Sequence, residues 1–308
     1  MNWLIAAAVL AAAPVVADVT APGPNGALVG TLLDAGRGSP VVLIIPGSGP
    51  TDRDGNNPLG VTAGTYRLLA EALQQRGVSS VRIDKRGMFG SRAAISDANA
   101  VTIADYATDV RAWTRSIRER TGAKCVWVLG HSEGSLVALA AAQQSEGICG
   151  VISVSGAGRR LADVMRAQLR ANPANAPILD DALKAVAELE AGRRVDPAGL
   201  PGPLPMLFPS AVQGFVIDLF AQDPARLAGS LKVPLLVVQG ETDLQTSVED
   251  ARALASAQPK ARLVLVPGVN HVLKSAPADP AANLATYSNP ALPVSPSVAD
   301  AIAEFVKG

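Results

Sequence analysis

The sequence predicts an α/β fold, a mostly parallel central sheet with helices on both faces and a helical cap inserted between strands. Three observations predict it. Short continuous apolar runs alternate with helix-length stretches over most of the chain. One such run, residues 125–129, enters Gly130-His131-Ser132-Glu133-Gly134 and leaves as an Ala-rich stretch at 135–144. From about residue 158 to 230 the strands stop, and helical segments and Pro/Gly-rich links replace them.

The elements follow in order. Residues 27–33 and 41–45 predict a starting hairpin with Gly-rich punctuation. Residues 66–75 predict a helix closed by Gly77 as C-cap, and 78–83 the next strand. Residues 103–120 form a long amphipathic pattern that stops before Gly122. The strand, turn and helix around Ser132 come next, then a strand at 151–155. In the cap, 161–169 and 178–190 read as helices, 196–205 as a link, and a further apolar helix lies within 211–220. The run 233–240 reads as a buried parallel strand, followed by a helix at 247–257 and a strand at 262–266. Residues 276–296, rich in Ala, Asn and Pro, predict a surface loop, and 297–306 a closing helix. The expected organisation is a leader at 1–17, core at 18–157, cap at 158–230 and core again at 231–308.

Chemistry concentrates at the ends of these strands. The glycines flanking Ser132 permit a sharp strand-to-helix turn that holds the serine proud at a helix N-terminus, where N–H groups favour developing negative charge. The chain has only 2 His, and His131 sits beside the serine with its side chain expected to point away, which leaves His271 as general base. Between serine and base, Asp243 follows the strand at 233–240 and suits the role of orienting acid. Glu241 is the near alternative, with Asp218 and Asp223 weaker ones in a helical region; Asp243 could instead cap a helix or make an Asx turn. Two backbone donors are needed for a tetrahedral oxyanion. The N–H of Glu133 is one, and that of Ser48, favoured over Gly49 in Pro46-Gly47-Ser48-Gly49-Pro50, is the other.

With Asp84-Lys85-Arg86-Gly87 and Gly90-Ser91 these pieces resemble the α/β-hydrolase superfamily along essentially all of the mature length. The segment from Pro46 to Asn56 looks like the oxyanion loop of a bacterial group described as esterase-like, serine-aminopeptidase-like or dienelactone-hydrolase-like. Many members carry His where this chain has Pro46, a change that backbone donors survive. The resemblance implies an ester hydrolase acting through Ser132, His271 and Asp243 on a small-molecule ester, with no cofactor. A peptidase or acyltransferase on the same machinery is the alternative, and a non-catalytic binding scaffold the rival of another class. Arg53, in the polar segment after Pro50, is a candidate for substrate contact or for pairing with Asp52 or Asp54.

Composition bounds the rest. With 308 residues, 48% hydrophobic and 18% charged, there is material for one large core plus an insertion. Balanced charge, 27 basic against 27 acidic without a basic cluster, gives no nucleic-acid footprint. Two His and two Cys supply no metal-ligand cluster of usual spacing, so no metal is expected. Residues 3–16 are apolar and too short to span a bilayer comfortably, and the small residues ending at Ala17 suit cleavage before Asp18. A periplasmic or secreted protein without stable membrane insertion is therefore expected; an uncleaved anchor is the alternative, since Met1-Asn2 lacks a basic residue. No second stretch reads as transmembrane. Cys125 and Cys149 open neighbouring parallel strands at the same sheet end, which predicts a disulfide. In the cap, Met206, Leu207, Phe208, Phe215 and Phe220 are candidates either for its own core or for an apolar acyl pocket.

Overall fold

Parallel strands with few polar residues must be covered on both faces, and the chain supplies helices for both. The computed structural model describes residues 15–308. Eight strands form one sheet: β1 Val15–Pro22, β2 Ala27–Asp34, β3 Val41–Ile45, β4 Ser79–Ile83, β5 Val126–His131, β6 Ile148–Val154, β7 Leu235–Gly240 and β8 Arg262–Val266. Their order is β1-β2-β4-β3-β5-β6-β7-β8. The β1–β2 and β2–β4 pairs are antiparallel, and all later pairs are parallel.

The expected starting hairpin of 27–33 with 41–45 is corrected here. Strand β2 pairs with β1 and β4, while β3 lies between β4 and β5. The hairpin is β1–β2, joined across a turn between Pro22 and Ala27. Strand β3 is buried throughout, and a hairpin partner at the sheet edge would have left one of its sides open.

Helices α1 Thr65–Gln74, α2 Ile103–Thr121 and α3 Glu133–Ala141 belong to the first half. The cap holds α4 Leu161–Ala171, α5 Leu179–Glu190, α6 Leu204–Leu207, α7 Gln213–Ala221 and α8 Pro224–Gly229. Helices α9 Val248–Ala257, α10 Pro280–Ala285 and α11 Pro296–Lys307 complete the second half. One sheet face packs on α2, α3, α8 and α9 around Trp113, Val128 and Leu139. The other packs on α1 and α11 around Leu69, Leu129 and Ile302. Helix α2 starts with a capping box from Thr102 and Asp105 and ends at Gly122 with φ 73°, a left-handed stop.

The cap has its own core, centred on Phe208 and Phe220. Residues 204–221 are long and apolar enough to cross a membrane by composition, which the sequence analysis did not anticipate. In the fold they break at Pro209 into α6, a 3-10 turn and α7. Met206 is 80% exposed, so it serves neither expected role, whereas Phe215 leaves the cap core to stack edge-on with Tyr106 of α2. Residues 276–296, expected as loop, contain α10 and a 3-10 turn ending at Ser288. The expected leader lies outside the described residues up to residue 14, and its last three residues, 15–17, pair with β2.

Cys125 and Cys149 are bonded, with Cα atoms 5.2 Å apart and a sequence separation of 24. Closing that loop contributes about 3 kcal/mol in the chain-entropy account. Replacing both cysteines by alanine is expected to lower Tm by roughly 5–10 °C, measured by thermal melting against the oxidised protein.

Candidate active site

Strands β3, β5, β7 and β8 run parallel, so the loops after them emerge at one sheet edge. Ser48, Ser132, Asp243 and His271 all lie on those loops. Ser132 takes φ 55° and ψ −122°, strained for a residue with a side chain, between the end of β5 and the first residue of α3. Both flanking glycines are required by contact. A Cβ at Gly130 would overlap the Gly134 carbonyl, and one at Gly134 would lie 2.5 Å from the Ile45 oxygen. That close approach brings the loop after β3 over the serine: a Cβ at Gly47 would sit 3.2 Å from the Ser132 Cβ.

His271 Nδ1 donates to Asp243 Oδ2 at 2.8 Å, and both side chains are buried. The carboxylate of Asp243 is fully used. Oδ2 also accepts from the Thr246 hydroxyl and Gln239 Nε2, and Oδ1 accepts the N–H groups of Gln245 and Thr246. The Asx turn weighed as an alternative to the acid role is thus made by Oδ1 while Oδ2 meets the histidine. Burial pushes this carboxyl up, but the His271 imidazole and the two N–H donors outweigh it and hold it well below the usual carboxylate range. Glu241 is exposed, Asp218 accepts from the Ile103 N–H, and Asp223 caps α8, so none of the alternatives reaches His271.

Ser132 and His271 line one cavity, and their side chains are not joined by a hydrogen bond; nucleophile–base contacts are commonly looser before substrate binds. The N–H groups of Ser48 and Glu133 have no backbone acceptor among the described residues. Ser48 and Glu133 border a second cavity beside Ser132.

Three residues that sequence reasoning did not assign hold this arrangement. Lys85 Nζ donates to the Gly47 carbonyl at 2.7 Å and to Glu133 Oε1 at 2.8 Å, with both charged side chains 3% exposed. Pinning the Gly47 carbonyl fixes the Gly47–Ser48 peptide plane and so the direction of the Ser48 N–H. On the other side, the Gly47 N–H donates to the Tyr66 hydroxyl, which meets His131 Nδ1 at 2.9 Å. His131 Nε2 faces the His271 carbonyl at 2.8 Å and must donate to it, so Nδ1 accepts from Tyr66. An unbroken strut thus runs from the loop after β3 through Tyr66 and His131 to the His271 backbone. The signal for Lys85 was its motif after β4; nothing in the sequence signalled that Tyr66 and His131 would meet.

Burial, with the neighbouring His271 imidazole, pushes His131 down to about 3. Burial pushes Tyr66 up, so it remains a neutral donor. Arg53 does not contact Asp52 or Asp54 as expected. It reaches Asp84 at 3.7 Å and Asp18 at 3.9 Å, away from the cavity walls. The loop carrying His271 is held from behind by Asn270, whose Nδ2 donates to Asn283 Oδ1 and Thr286 Oγ1.

The chain matches the alpha/beta hydrolase family over residues 41–285, a span from β3 to α10 that takes in Ser48, Ser132, Asp243 and His271. The protein belongs to the alpha/beta hydrolase family. It is 26% identical over 268 residues to esterase EstD of Thermotoga maritima, a match covering 84% of this chain and 60% of that protein. Among solved structures it resembles Est1E from Butyrivibrio proteoclasticus, at TM-score 0.58 and 17% identity over 94% of this chain and 99% of the other. The Pyrococcus furiosus esterase Pf2001 gives TM-score 0.59 and 18% identity over 96% and 91%. These structures share the fold.

Two outcomes follow from the site. Lys85→Met leaves the Glu133 carboxylate buried without its counter-charge and is expected to cost about 3–5 kcal/mol in urea unfolding. The double variant Lys85→Met/Glu133→Leu should recover most of that loss. Second, unfolded His131 binds a proton below its ordinary 6.5, whereas in the fold it resists until about 3. The unfolded state therefore holds more protons across that window, and stability must fall as pH drops through it. Urea titrations between those limits should show a shallower pH slope for His131→Asn than for the parent.

Proposed function

We propose that this alpha/beta hydrolase is a serine hydrolase of carboxylic esters, working through an acyl-enzyme. Ser132 is the nucleophile. His271 takes its proton and later delivers it to the leaving oxygen, and Asp243 holds the imidazole in the Nδ1–H tautomer and stabilises the imidazolium. The N–H groups of Ser48 and Glu133 receive the oxyanion. Water then attacks the acyl-enzyme with His271 as base, which releases the acid and restores Ser132.

The observation that carries this reading is the buried Asp243–His271 pair opening on the cavity that Ser132 lines. A neutral-pH serine mechanism requires an oriented imidazole facing the hydroxyl. The α3 N-terminus under Glu133 and the Ser48 peptide fixed by Lys85 support the oxyanion role. Similarity to proteins named as esterases favours esters over amides. The proposal extends to the compartment: the disulfide and the apolar N-terminal residues suit a periplasmic or secreted protein.

Ser132→Ala is expected to lower kcat on p-nitrophenyl esters by about 10³-fold or more, leaving what binding and the oxyanion donors supply. A fluorophosphonate probe should label the parent and not the variant. Labelling without hydrolysis of any ester would shift the assignment to a peptidase or acyltransferase, and neither labelling nor turnover would overturn it.

A further inference from the structure

Two cavities meet at Ser132; Gln245 borders both, and the one under the cap is the more apolar. The one under the cap, about 160 Å³, is walled by Leu161, Val164, Met165, Leu219 and Phe220. The other, about 140 Å³, contains His271 and is walled by Thr51, Asn57, Gln245 and Tyr287. Apart from His271 and His131, no ionisable side chain other than tyrosine borders that second cavity among the described residues.

Reaction geometry assigns a half of the substrate to each. The leaving oxygen must take its proton from the His271 imidazole, so the alcohol lies on the side that His271 borders. Glu133, one of the two oxyanion donors, borders only the cap-side cavity, so the carbonyl and the acyl chain attached to it lie on that side. Resting on the esterase reading above, we propose that the substrate joins an apolar acyl group of about six carbons to an uncharged, hydroxylated alcohol. Size follows from volume: an apolar cavity of about 150 Å³ holds a benzene ring. The alcohol's chemistry follows from its wall. Tyr287, 9% exposed, accepts a hydrogen bond from Gln245 Nε2 at 3.2 Å and keeps its own O–H to donate. The Gln245 carbonyl oxygen remains an acceptor on the same wall. An alkyl alcohol would desolvate these groups without replacing their water. A phosphorylated or carboxylated one would find no cation there.

The test compares glyceryl hexanoate with propyl hexanoate, then glyceryl acetate with glyceryl decanoate, in the parent, Tyr287→Phe, Met165→Trp and Ser132→Ala. The parent is expected to favour glyceryl over propyl hexanoate by about tenfold in kcat/KM. Tyr287→Phe should collapse that ratio towards one. Met165→Trp should move the acyl optimum towards acetate while the glyceryl preference persists. Equal rates on glyceryl and propyl esters in the parent, or a Tyr287→Phe loss shared equally by both, would overturn the polar alcohol site. An unchanged acyl optimum in Met165→Trp would overturn the cap-side acyl site. Ser132-dependent hydrolysis of propyl hexanoate with no glyceryl preference would defeat this inference alone, whereas no Ser132-dependent hydrolysis of any ester would defeat the esterase reading with it.

Discussion

The site depends on one contact without side chains. Gly134, in the first turn of α3, lies so near the Ile45–Pro46 backbone that a Cβ would meet the Ile45 oxygen at 2.5 Å. Strand β3 is the neighbour of β5 in the sheet, so this contact fixes how closely the loop after one strand can approach the serine after the other. Any larger residue at Gly134 would push the loop carrying Ser48 away from Ser132. Backbone geometry, rather than side-chain chemistry, sets the distance between Ser132 and the loop carrying Ser48.

Two polar devices then fix orientation within that distance. The Lys85–Glu133 pair is buried, and its net contribution to stability against an apolar replacement is expected to be small. Its use is positional, since the same ammonium ties the Gly47 carbonyl to the first residue of α3. The Tyr66–His131 strut does the corresponding work for the base by joining the Gly47 N–H to the His271 carbonyl. Burial keeps both of its members neutral, so the strut places no charge beside the His271 ring. The loop at Ser48, the start of α3 after Ser132 and the His271 backbone are thereby tied to one another by hydrogen bonds.

The cap contributes in another way. Its core at Phe208 and Phe220 folds on itself, and Phe220 also reaches the cavity beside Ser132. The two roles weighed for the cap aromatics are thus divided among them and in Phe220 combined. On the opposite side, the segment carrying α10 brings Tyr287 against Gln245 and braces Asn270. Ser132 lies between the more apolar cavity under the cap and the one that Tyr287 borders, contributed by segments far apart in the chain.

Much of this was legible in the amino-acid order because its causes are local. The apolar runs require buried strands, and the glycines around Ser132 require a sharp turn there. With two histidines, one inside that turn, His271 was the histidine left to meet Asp243. The pairing of Cys125 with Cys149 followed from parallel neighbours of similar phase. What the sequence left open depends on which strands become neighbours. The assumed hairpin of β2 with β3 failed because proximity along the chain was weighed, whereas β3 requires cover on both sides and finds it between β4 and β5. The role of Lys85, the meeting of Tyr66 with His131 and the wall made by Tyr287 join segments 19 to 65 residues apart or more, and no local pattern encodes such encounters. The sequence by itself determined the fold class and which residues gather at one sheet edge, since turn sterics and residue supply are properties of the chain. Only the tertiary structure decided what orients those residues and what surrounds them, since strand order alone brings the supporting groups within hydrogen-bonding reach.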